Sequence, residues 1–342
     1  MSETTILIVG GAGYIGSHMV KQLRRAGFAV AVADDLSHGH RKAVGDAPLH
    51  VGDIGDAGFA DALLRDVKPA AVMHFASFIQ VGESVADPAR YYRNNVTATQ
   101  VLLDAMRAHG VSRFIFSSTA AIFGDPVYVP IDEAHPKQPI NPYGRGKWMV
   151  EQMLEDYDRA YGLKSVCLRY FNAAGADPEG ELGERHEPET HLVPLILQVA
   201  SGRRPHIGVY GDDYATKDGT CVRDYIHVED LCSAHLLALR RLLDGAGSAR
   251  YNLGNGNGFS VREVIDAVRR ITGHAIPVRI EPRRAGDPPA LVANADAARA
   301  QLGWAPRYAD LDTIVAHAWA CEQRIAAARG QAPRASDRNR SS

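Results

Sequence analysis

The segment Ile6-Leu7-Ile8-Val9-Gly10-Gly11-Ala12-Gly13-Tyr14-Ile15-Gly16 decides the fold of this 342-residue chain. Its first four residues are all apolar, which is typical of a parallel strand that is buried on both faces. Three glycines in the spacing GxxGxxG follow at once, and a helix-like segment covers residues 14–26. Such glycines let the backbone approach a pyrophosphate, and the N–H groups at the start of the helix can bind it. The segment therefore predicts the first unit of a dinucleotide-binding sheet.

Strand-like and helix-like segments alternate through the first half of the chain. Further strands are predicted at 28–33, 49–51, 70–75, 114–116 and 165–170, and further helices at 59–67, 88–109 and 142–161. Repeated strand–helix–strand units require parallel strands joined by right-handed crossovers. We therefore predict an α/β fold, with a doubly wound parallel Rossmann sheet and a smaller mixed α/β C-terminal substrate domain.

The alternation ends after residue 171, where residues 172–190 are rich in glycine, proline and acids and predict a long loop. Helix-like segments follow at 191–201, 228–243 and 261–272. We predict a cofactor domain at 1–175, onto which a segment at about 222–256 packs back, and a substrate-binding domain at 176–329. The polar residues 330–342 predict a disordered tail.

Composition excludes several classes of protein. The net charge is −2, so bulk charge favours neither nucleic acid nor an anionic membrane as partner. No apolar run approaches the roughly 20 residues that span a bilayer, and no signal peptide precedes residue 6, so we expect a cytoplasmic protein. Four cysteines without a CxxC spacing predict neither a disulfide framework nor structural zinc. The pairs His38/His40 and His186/His191 lie in polar segments and are expected at the surface, so we predict no metal site.

An acidic residue ends the second predicted strand at the distance that dinucleotide-binding folds use. Asp34 lies eighteen residues beyond Gly16, where a carboxylate binds the hydroxyls of the adenosine ribose. Because a carboxylate would repel a 2′-phosphate, Asp34 favours NAD over NADP. After the next strand, Asp53 and Ile54 are a second predicted contact with the adenosine.

Three further residues suggest proton transfer beside the cofactor. Tyr143 and Lys147 form a YxxxK pair, which places both side chains on one face of a helix. A lysine ammonium near a phenol favours the phenolate, which can then take a proton from a sugar hydroxyl. Thr119 ends a predicted strand 24 residues before Tyr143, where its hydroxyl can align the phenol with the substrate. Glycines, then Ser/Thr, then YxxxK define the short-chain dehydrogenases.

The chain resembles the UDP-glucose 4-epimerases of the extended short-chain dehydrogenase/reductase family from about residue 5 to about residue 321. The motifs that carry the resemblance are Gly10-Gly-Ala-Gly-Tyr-Ile-Gly-Ser-His18, Val81-Gly-Glu-Ser84, Tyr91-Tyr-Arg-Asn-Asn-Val96, Asn141-Pro-Tyr143, Arg169-Tyr-Phe-Asn172, Asp218-Gly-Thr220, Val222-Arg-Asp-Tyr-Ile-His-Val228, Tyr251-Asn-Leu-Gly254 and Pro282-Arg-Arg-Ala-Gly-Asp287.

The resemblance implies a role for each matching residue. Tyr143 is the acid/base, Lys147 holds the nicotinamide ribose, and Thr119 bridges to the sugar. The implied cofactor contacts are Gly10, Gly13, Tyr14, Ile15, Gly16, Asp34, Asp53, Ile54, Phe75, Asn95, Tyr143, Lys147 and Phe171. The implied substrate contacts are Thr119, Tyr143, Asn172, Leu192, Tyr210, Arg223, Arg284, Asp287 and Leu291. The resemblance also implies a homodimer formed through the helices at 88–109 and 142–161.

The implied reaction is the interconversion of UDP-galactose and UDP-glucose through a 4-keto intermediate, with NAD as cofactor. Three positions depart from the family pattern: Ile79 replaces a lysine near the cofactor, His191 replaces an asparagine, and Leu291 is intermediate in size at the position that gates the sugar pocket. Epimerases for UDP-N-acetyl-hexosamines or for UDP-xylose/UDP-arabinose therefore stay open as alternatives, as does a non-catalytic NAD-binding sensor. Ala120 and Ala121, directly after Thr119, argue against a 4,6-dehydratase, because such an enzyme needs an acid and a base at these two positions.

Overall fold

The structure is a computed structural model that describes residues 4–284 and 287–328. The strands are β1 Thr5–Val9, β2 Ala29–Asp34, β3 Leu49–Val51, β4 Ala71–His74, β5 Arg113–Thr119, β6 Lys164–Tyr170, β7 Asn172–Ala174, β8 Ile207–Tyr210, β9 Val222–His227, β10 Ala249–Leu253, β11 Gly258–Ser260, β12 Val278–Glu281 and β13 Ala290–Leu291. The α-helices are α1 Tyr14–Arg25, α2 Ala57–Val67, α3 Val81–Ala86, α4 Pro88–Tyr92, α5 Ala98–Ala108, α6 Pro142–Tyr161, α7 Leu192–Ala200, α8 Val228–Leu243, α9 Val261–Thr272, α10 Asp296–Leu302 and α11 Leu311–Ala328.

Seven parallel strands form the central sheet, in the order β10-β6-β5-β4-β1-β2-β3. Apolar side chains of α1, α8 and α10 cover one face of this sheet, and those of α2, α5 and α6 cover the other. The predicted Rossmann architecture is thereby confirmed. Because the strand order reverses between β1 and β4, a crevice opens at the carboxyl ends of these strands, where such sheets bind ligands.

Residues after β6 build a second, mixed region and also extend the main sheet. In the mixed region β9 pairs with β7, β11 and β13, while β8 pairs with β12. Helices α7, α9 and α11 share a separate apolar core beside these strands. Strand β10, in contrast, pairs in parallel with β6 and forms an edge of the seven-stranded sheet. The chain thus returns to the cofactor-binding sheet after it has begun the second region.

Two predicted elements differ from those observed. The single helix predicted at 88–109 is α4, a π-helical turn at Arg93–Thr97, and α5. Within that turn the Asn95 side chain bonds the backbone N–H and C=O of Phe78, both at 2.9 Å. The loop predicted at 172–190 begins with β7, because its backbone finds a partner in β9, which is distant in sequence.

The predicted disordered tail at 330–342 lies outside the described residues. Among the described helices, none combines the length and the apolar character needed to cross a membrane.

Candidate active site

The glycine loop between β1 and α1 has a shape that only glycine allows at two positions. Gly10 has φ +80°, and a Cβ there would lie 2.4 Å from the backbone nitrogen of Ala76. A Cβ on Gly16 would lie 2.1 Å from the carbonyl oxygen of Gly10. Gly13 is the N-cap of α1 and provides no side-chain hydrogen bond to the helix. The first turn of α1, with Tyr14 and Ile15, therefore presents its amides to a ligand phosphate.

Asp34 ends β2 beside this loop and is held in place by two backbone amides. Its Oδ2 accepts a hydrogen bond from the N–H of Ala12, and its Oδ1 accepts one from that of Leu36, both at 2.9 Å. Burial raises the pKa of Asp34, and the two hydrogen bonds oppose that rise. At the end of β3, Asp53 is exposed and Ile54 is buried. The glycine loop and this carboxylate fit a dinucleotide whose adenosine ribose carries free hydroxyls, as in NAD.

Three predicted cofactor contacts lie farther along the carboxyl edge of the sheet. Phe75 directly follows β4, and its ring packs 5.0 Å from that of His235. Phe171 follows β6 and packs against the apolar cluster around Ile122 and Phe123. The amide of Asn95 is already bonded to Phe78, so it positions the segment after β4. Its direct contact with a cofactor stays a prediction.

Lys147 is buried beneath the crevice, with only 2% of its surface exposed. Its Nζ donates to the hydroxyl of Ser77 and to the carbonyl of Ser117, both at 2.7 Å. Burial lowers the pKa of Lys147 to about 7. Sequence reasoning missed Ser77, because its contact with Lys147 joins residues 70 positions apart.

Tyr143 and Thr119 meet at the carboxyl edge of β5. Helix α6 starts one residue before Tyr143, where Asn141 caps the helix by accepting a hydrogen bond from the N–H of Gly144 at 2.8 Å. Burial raises the pKa of Tyr143, while a side-chain hydrogen bond with Thr119 lowers it. The pair can thus hold a substrate hydroxyl between a phenol and an aligning hydroxyl group.

A buried ion pair joins α6 and β5, which carry these residues, to β6, and sequence reasoning missed it. Glu151, one helical turn beyond Lys147, accepts hydrogen bonds from Arg169 Nε at 3.0 Å and Nη2 at 2.7 Å. The hydroxyl of Ser118, next to Thr119, donates to the same carboxylate at 2.6 Å. Tyr143, Lys147 and Glu151 follow one another at intervals of four residues, which places them on one face of the helix. This spacing was the available signal for Glu151.

The residues predicted to bind the UDP-sugar form two groups in the second region. Arg223 on β9 makes an ion pair with Asp287, and Leu291 on β13 pairs in register with Arg223. The guanidinium of Arg284 lies 3.8 Å above the ring of Tyr210. Leu291 also packs in the cluster that contains Phe171, which places it beside the cofactor side of the crevice.

Asn172 and Leu192 begin β7 and α7, the elements that flank the segment after the central sheet. Both side chains are partly buried. No contact joins them directly to Arg223 or Arg284 among the interactions of the described residues, so their approach to a shared ligand stays a prediction.

The histidine pair expected at the surface near residue 190 is partly exposed, by 20% of the side chain for His186 and by 38% for His191. His186 and His191 converge on Glu184 and Glu189, whose side chains are each 5% exposed. The signal was the spacing E-x-H-x-x-E-x-H at residues 184–191, which alternates carboxylates and imidazoles. His38 and His40 are both exposed, as expected.

Comparisons with known proteins agree with this geometry. A family model described as the NAD dependent epimerase/dehydratase family matches residues 6–254. A UDP-glucose 4-epimerase of Halalkalibacterium halodurans is 52% identical over 314 residues, which cover 92% of this chain and 94% of that protein. The crystal structure of the Brucella ovis UDP-glucose 4-epimerase in complex with NAD matches with a TM-score of 0.90 at 52% identity, covering 92% of this chain and 97% of the other.

A second structure, the Bifidobacterium longum UDP-glucose 4-epimerase in complex with NAD+ and UDP, matches with a TM-score of 0.90 at 39% identity, covering 94% of this chain and 98% of the other. The family match covers the glycine loop, Asp34, Thr119 and the YxxxK pair, and the relatives cover the second region as well. The chain belongs to the NAD dependent epimerase/dehydratase family and, within it, to the UDP-glucose 4-epimerases.

Proposed function

We propose that the chain interconverts UDP-galactose and UDP-glucose by inverting the configuration at C4 of the sugar. The observation that carries the proposal is the hydrogen bond between Tyr143 and Thr119 at the end of β5, with Lys147 bonded to Ser117 on the same strand. The names of the relatives support the choice of substrate.

Each residue of this group has a defined task in the proposed reaction. NAD, when bound, would supply reversible hydride transfer at C4 of the sugar. Tyr143 takes the proton of the 4-hydroxyl and later gives it back, and Thr119 aligns that hydroxyl with the phenol. Lys147 holds the nicotinamide ribose and, when protonated, favours the phenolate of Tyr143.

The second region would anchor the nucleotide while the sugar turns over. Arg223 and Arg284 can each bind a diphosphate with two parallel N–H groups, which suits guanidinium better than ammonium. Tyr210 already packs against Arg284, so both residues can approach one ligand. Asn172, Leu192, Asp287 and Leu291 complete the proposed substrate contacts. Leu291, of intermediate size, would set the upper limit on the substituent at C2.

We further infer the metabolic pathway, the cellular compartment and the oligomeric state of the enzyme. The substrate pair places the enzyme in galactose metabolism, and four free cysteines suit a reducing cytoplasm. We propose a homodimer formed through α5 and α6, which pack together and expose Met149 and Tyr161 on α6.

Proton NMR of separate incubations tests the proposal. The purified chain is mixed with UDP-galactose, UDP-N-acetylgalactosamine or UDP-xylose without added NAD. Appearance of UDP-glucose in the first tube is the expected result, because a hydride that returns to the sugar leaves the cofactor unchanged. Turnover confined to one of the other tubes would favour the epimerases for N-acetylated sugars or pentoses. No turnover in any tube, even with added NAD, would favour the non-catalytic sensor.

A matched pair of variants on α6 separates chemistry from folding. Tyr143→Phe removes the proton acceptor and is expected to lower kcat by roughly 10²–10⁴-fold while bound NAD is retained. Tyr161→Phe removes the hydroxyl of an exposed tyrosine on the same helix and is expected to leave turnover unchanged. Equal turnover in wild type and Tyr143→Phe would contradict the assignment of the base.

A further inference from the structure

The segment that joins β7 to α7 brings four potential metal ligands to one point. Glu184, His186, Glu189 and His191 each offer one atom, and these atoms all lie within 4.8 Å of one another. His186 Nδ1 lies 3.2 Å from Glu184 Oε1, and His191 Nδ1 lies 3.6 Å from Glu189 Oε1. In a tetrahedral zinc shell with bonds of about 2.1 Å, ligand atoms are separated by roughly 3.4 Å. These two separations are close to the spacing of a tetrahedral site, whereas His191 Nδ1 bonds Glu184 Oε1 directly, so that pair would have to move apart to bind an ion.

The two carboxylates of the cluster need positive charge, which either protonated imidazoles or one bound cation can provide. Both carboxylates are only 5% exposed, and each forms ion pairs with His186 and His191. No lysine or arginine within residues 4–284 and 287–328 forms an ion pair with either of them. Two buried carboxylates side by side repel each other unless positive charge compensates them. One divalent cation would neutralise both and would bind neutral imidazoles at the same time.

A second observation concerns the direction of one imidazole. His186 Nδ1 is a buried atom that lies at ion-pair distance from Glu184 Oε1, 3.2 Å, but makes no hydrogen bond of good geometry. Buried polar atoms without a well-formed hydrogen bond are rare, because losing water without a full replacement is unfavourable. An ion bound by both His186 Nδ1 and Glu184 Oε1 would give each atom a partner, and metal bonds do not need hydrogen-bond geometry.

We propose that Glu184, His186, Glu189 and His191 bind one divalent cation of the zinc class. Two imidazoles and two carboxylates suit zinc, whereas magnesium and calcium prefer oxygen ligands alone. All four positions of a tetrahedral shell come from the protein, so the ion has a structural role and leaves no position for a reacting water.

The location of the cluster indicates what such an ion would hold together. His191 is the N-cap of α7 and immediately precedes Leu192, a proposed substrate contact. On the other side, the ring of His186 lies edge-on to Tyr14, at 6.5 Å, and Tyr14 donates a hydrogen bond to the carbonyl of Gly175 at 2.7 Å. The ion would thus tie the start of α7 to the cofactor-binding helix α1 across the substrate side of the crevice.

Metal content tests this proposal independently of turnover. The full chain, purified without a histidine tag, is stripped with a chelator and titrated with Zn²⁺ or Mg²⁺ while its thermal unfolding is followed. We expect about one zinc ion per chain and a higher Tm with Zn²⁺ but not with Mg²⁺, because a ligand bound only by the folded state stabilises it. Cobalt substitution should give the visible absorption of a tetrahedral Co²⁺ site.

Two variants and a control locate the ion. His186→Gln and Glu189→Gln should each weaken zinc binding by more than about tenfold, a loss that even outer-shell changes can cause. His109→Gln is the control, because His109 pairs with the single carboxylate of Asp61, at 2.8 Å, outside the cluster. It should leave zinc binding unchanged.

The proposal is overturned if stripped, folded wild type binds zinc no more tightly than His186→Gln. It is also overturned if His109→Gln abolishes the binding. Should the cluster variants fail to fold, the cobalt spectrum of wild type decides, and absence of tetrahedral absorption rejects the site. Because these readouts do not involve UDP-sugars, loss of the metal site and loss of epimerase activity are distinguishable.

Discussion

At the scale of single residues, Lys147 carries a charge that the fold makes unfavourable. Its folded pKa is about 7, against 10.5 for a free lysine, because the side chain is buried. Between these two values the unfolded chain binds a proton that the folded chain has released. Stability therefore rises with pH across this window, and below it the destabilisation by the buried charge of Lys147 is complete and no longer changes with pH.

The NAD-free protein and its Lys147→Met variant should consequently differ in their pH dependence. Between pH 7 and 10.5, the unfolding free energy of wild type should increase relative to the variant by up to roughly 1.4 kcal/mol per pH unit. Urea unfolding at a series of pH values measures this difference. Lys42→Met, at an exposed lysine, should show no such trend. A constant difference between wild type and Lys147→Met would contradict the burial of an ionisable amine.

Contacts between residues that are close in sequence could be predicted, and contacts between residues that are distant in sequence were missed. Tyr143 and Lys147 share a helix face because of their spacing alone, and Asp34 follows its strand at a fixed distance from the glycines. The partner of Lys147, Ser77, lies 70 residues away, and nothing near either residue records the contact. Asn95 likewise bonds the backbone of Phe78, which interrupts a helix that its own sequence favours.

At the scale of elements, the pair Glu151–Arg169 fixes α6 against β5 and β6. Both side chains are almost fully buried, with exposures of 0% and 1%. Glu151→Gln would leave the guanidinium of Arg169 buried without its countercharge, which costs about 3–5 kcal/mol. Denaturant unfolding should show this loss.

Glu155→Gln provides the matched control on the same helix. Glu155 is 40% exposed and pairs with Arg250 at the surface, at 2.9 Å. Surface pairs of this kind contribute about 1 kcal/mol or less. Equal stability of Glu151→Gln and Glu155→Gln would show that the buried pair does not hold these elements together.

Elements with strong end signals were predicted well, and the short strands that pair with β9 were not. Helix α6 has the predicted bounds, since Asn141 and Pro142 start it and Gly162, with φ +71°, ends it. Helices α8 and α9 also match their predicted ranges. Strands β7, β11 and β13 have only two or three residues each, and they exist because β9 lies between or beside them. Such pairing depends on distant residues and leaves no local pattern.

At the scale of the whole molecule, the proposed homodimer can be tested at its centre. Met149 on α6 is 42% exposed in the single chain, so a second copy would cover an apolar side chain. Light scattering after size exclusion should give about twice the chain mass of 37.0 kDa for wild type. Met149→Glu should give a monomer, because the interface would bury an unpaired charge.

Val278→Glu serves as the control, since Val278 is similarly exposed on β12, away from α5 and α6. This variant should stay dimeric. A monomeric wild type, or a dimeric Met149→Glu variant, would reject an interface at α6.

The place of β10 in the central sheet has a consequence for how the chain folds during its synthesis. When β6 leaves the ribosome, the strand that will cover its open edge has not been made, because residues 171–248 come between them. At roughly 5–20 residues per second, several seconds pass before β10 emerges. During that delay the nascent sheet exposes an unpaired, mostly apolar edge of the kind that recruits other strands. Aggregation therefore competes most directly with folding while residues 171–248 are being synthesised.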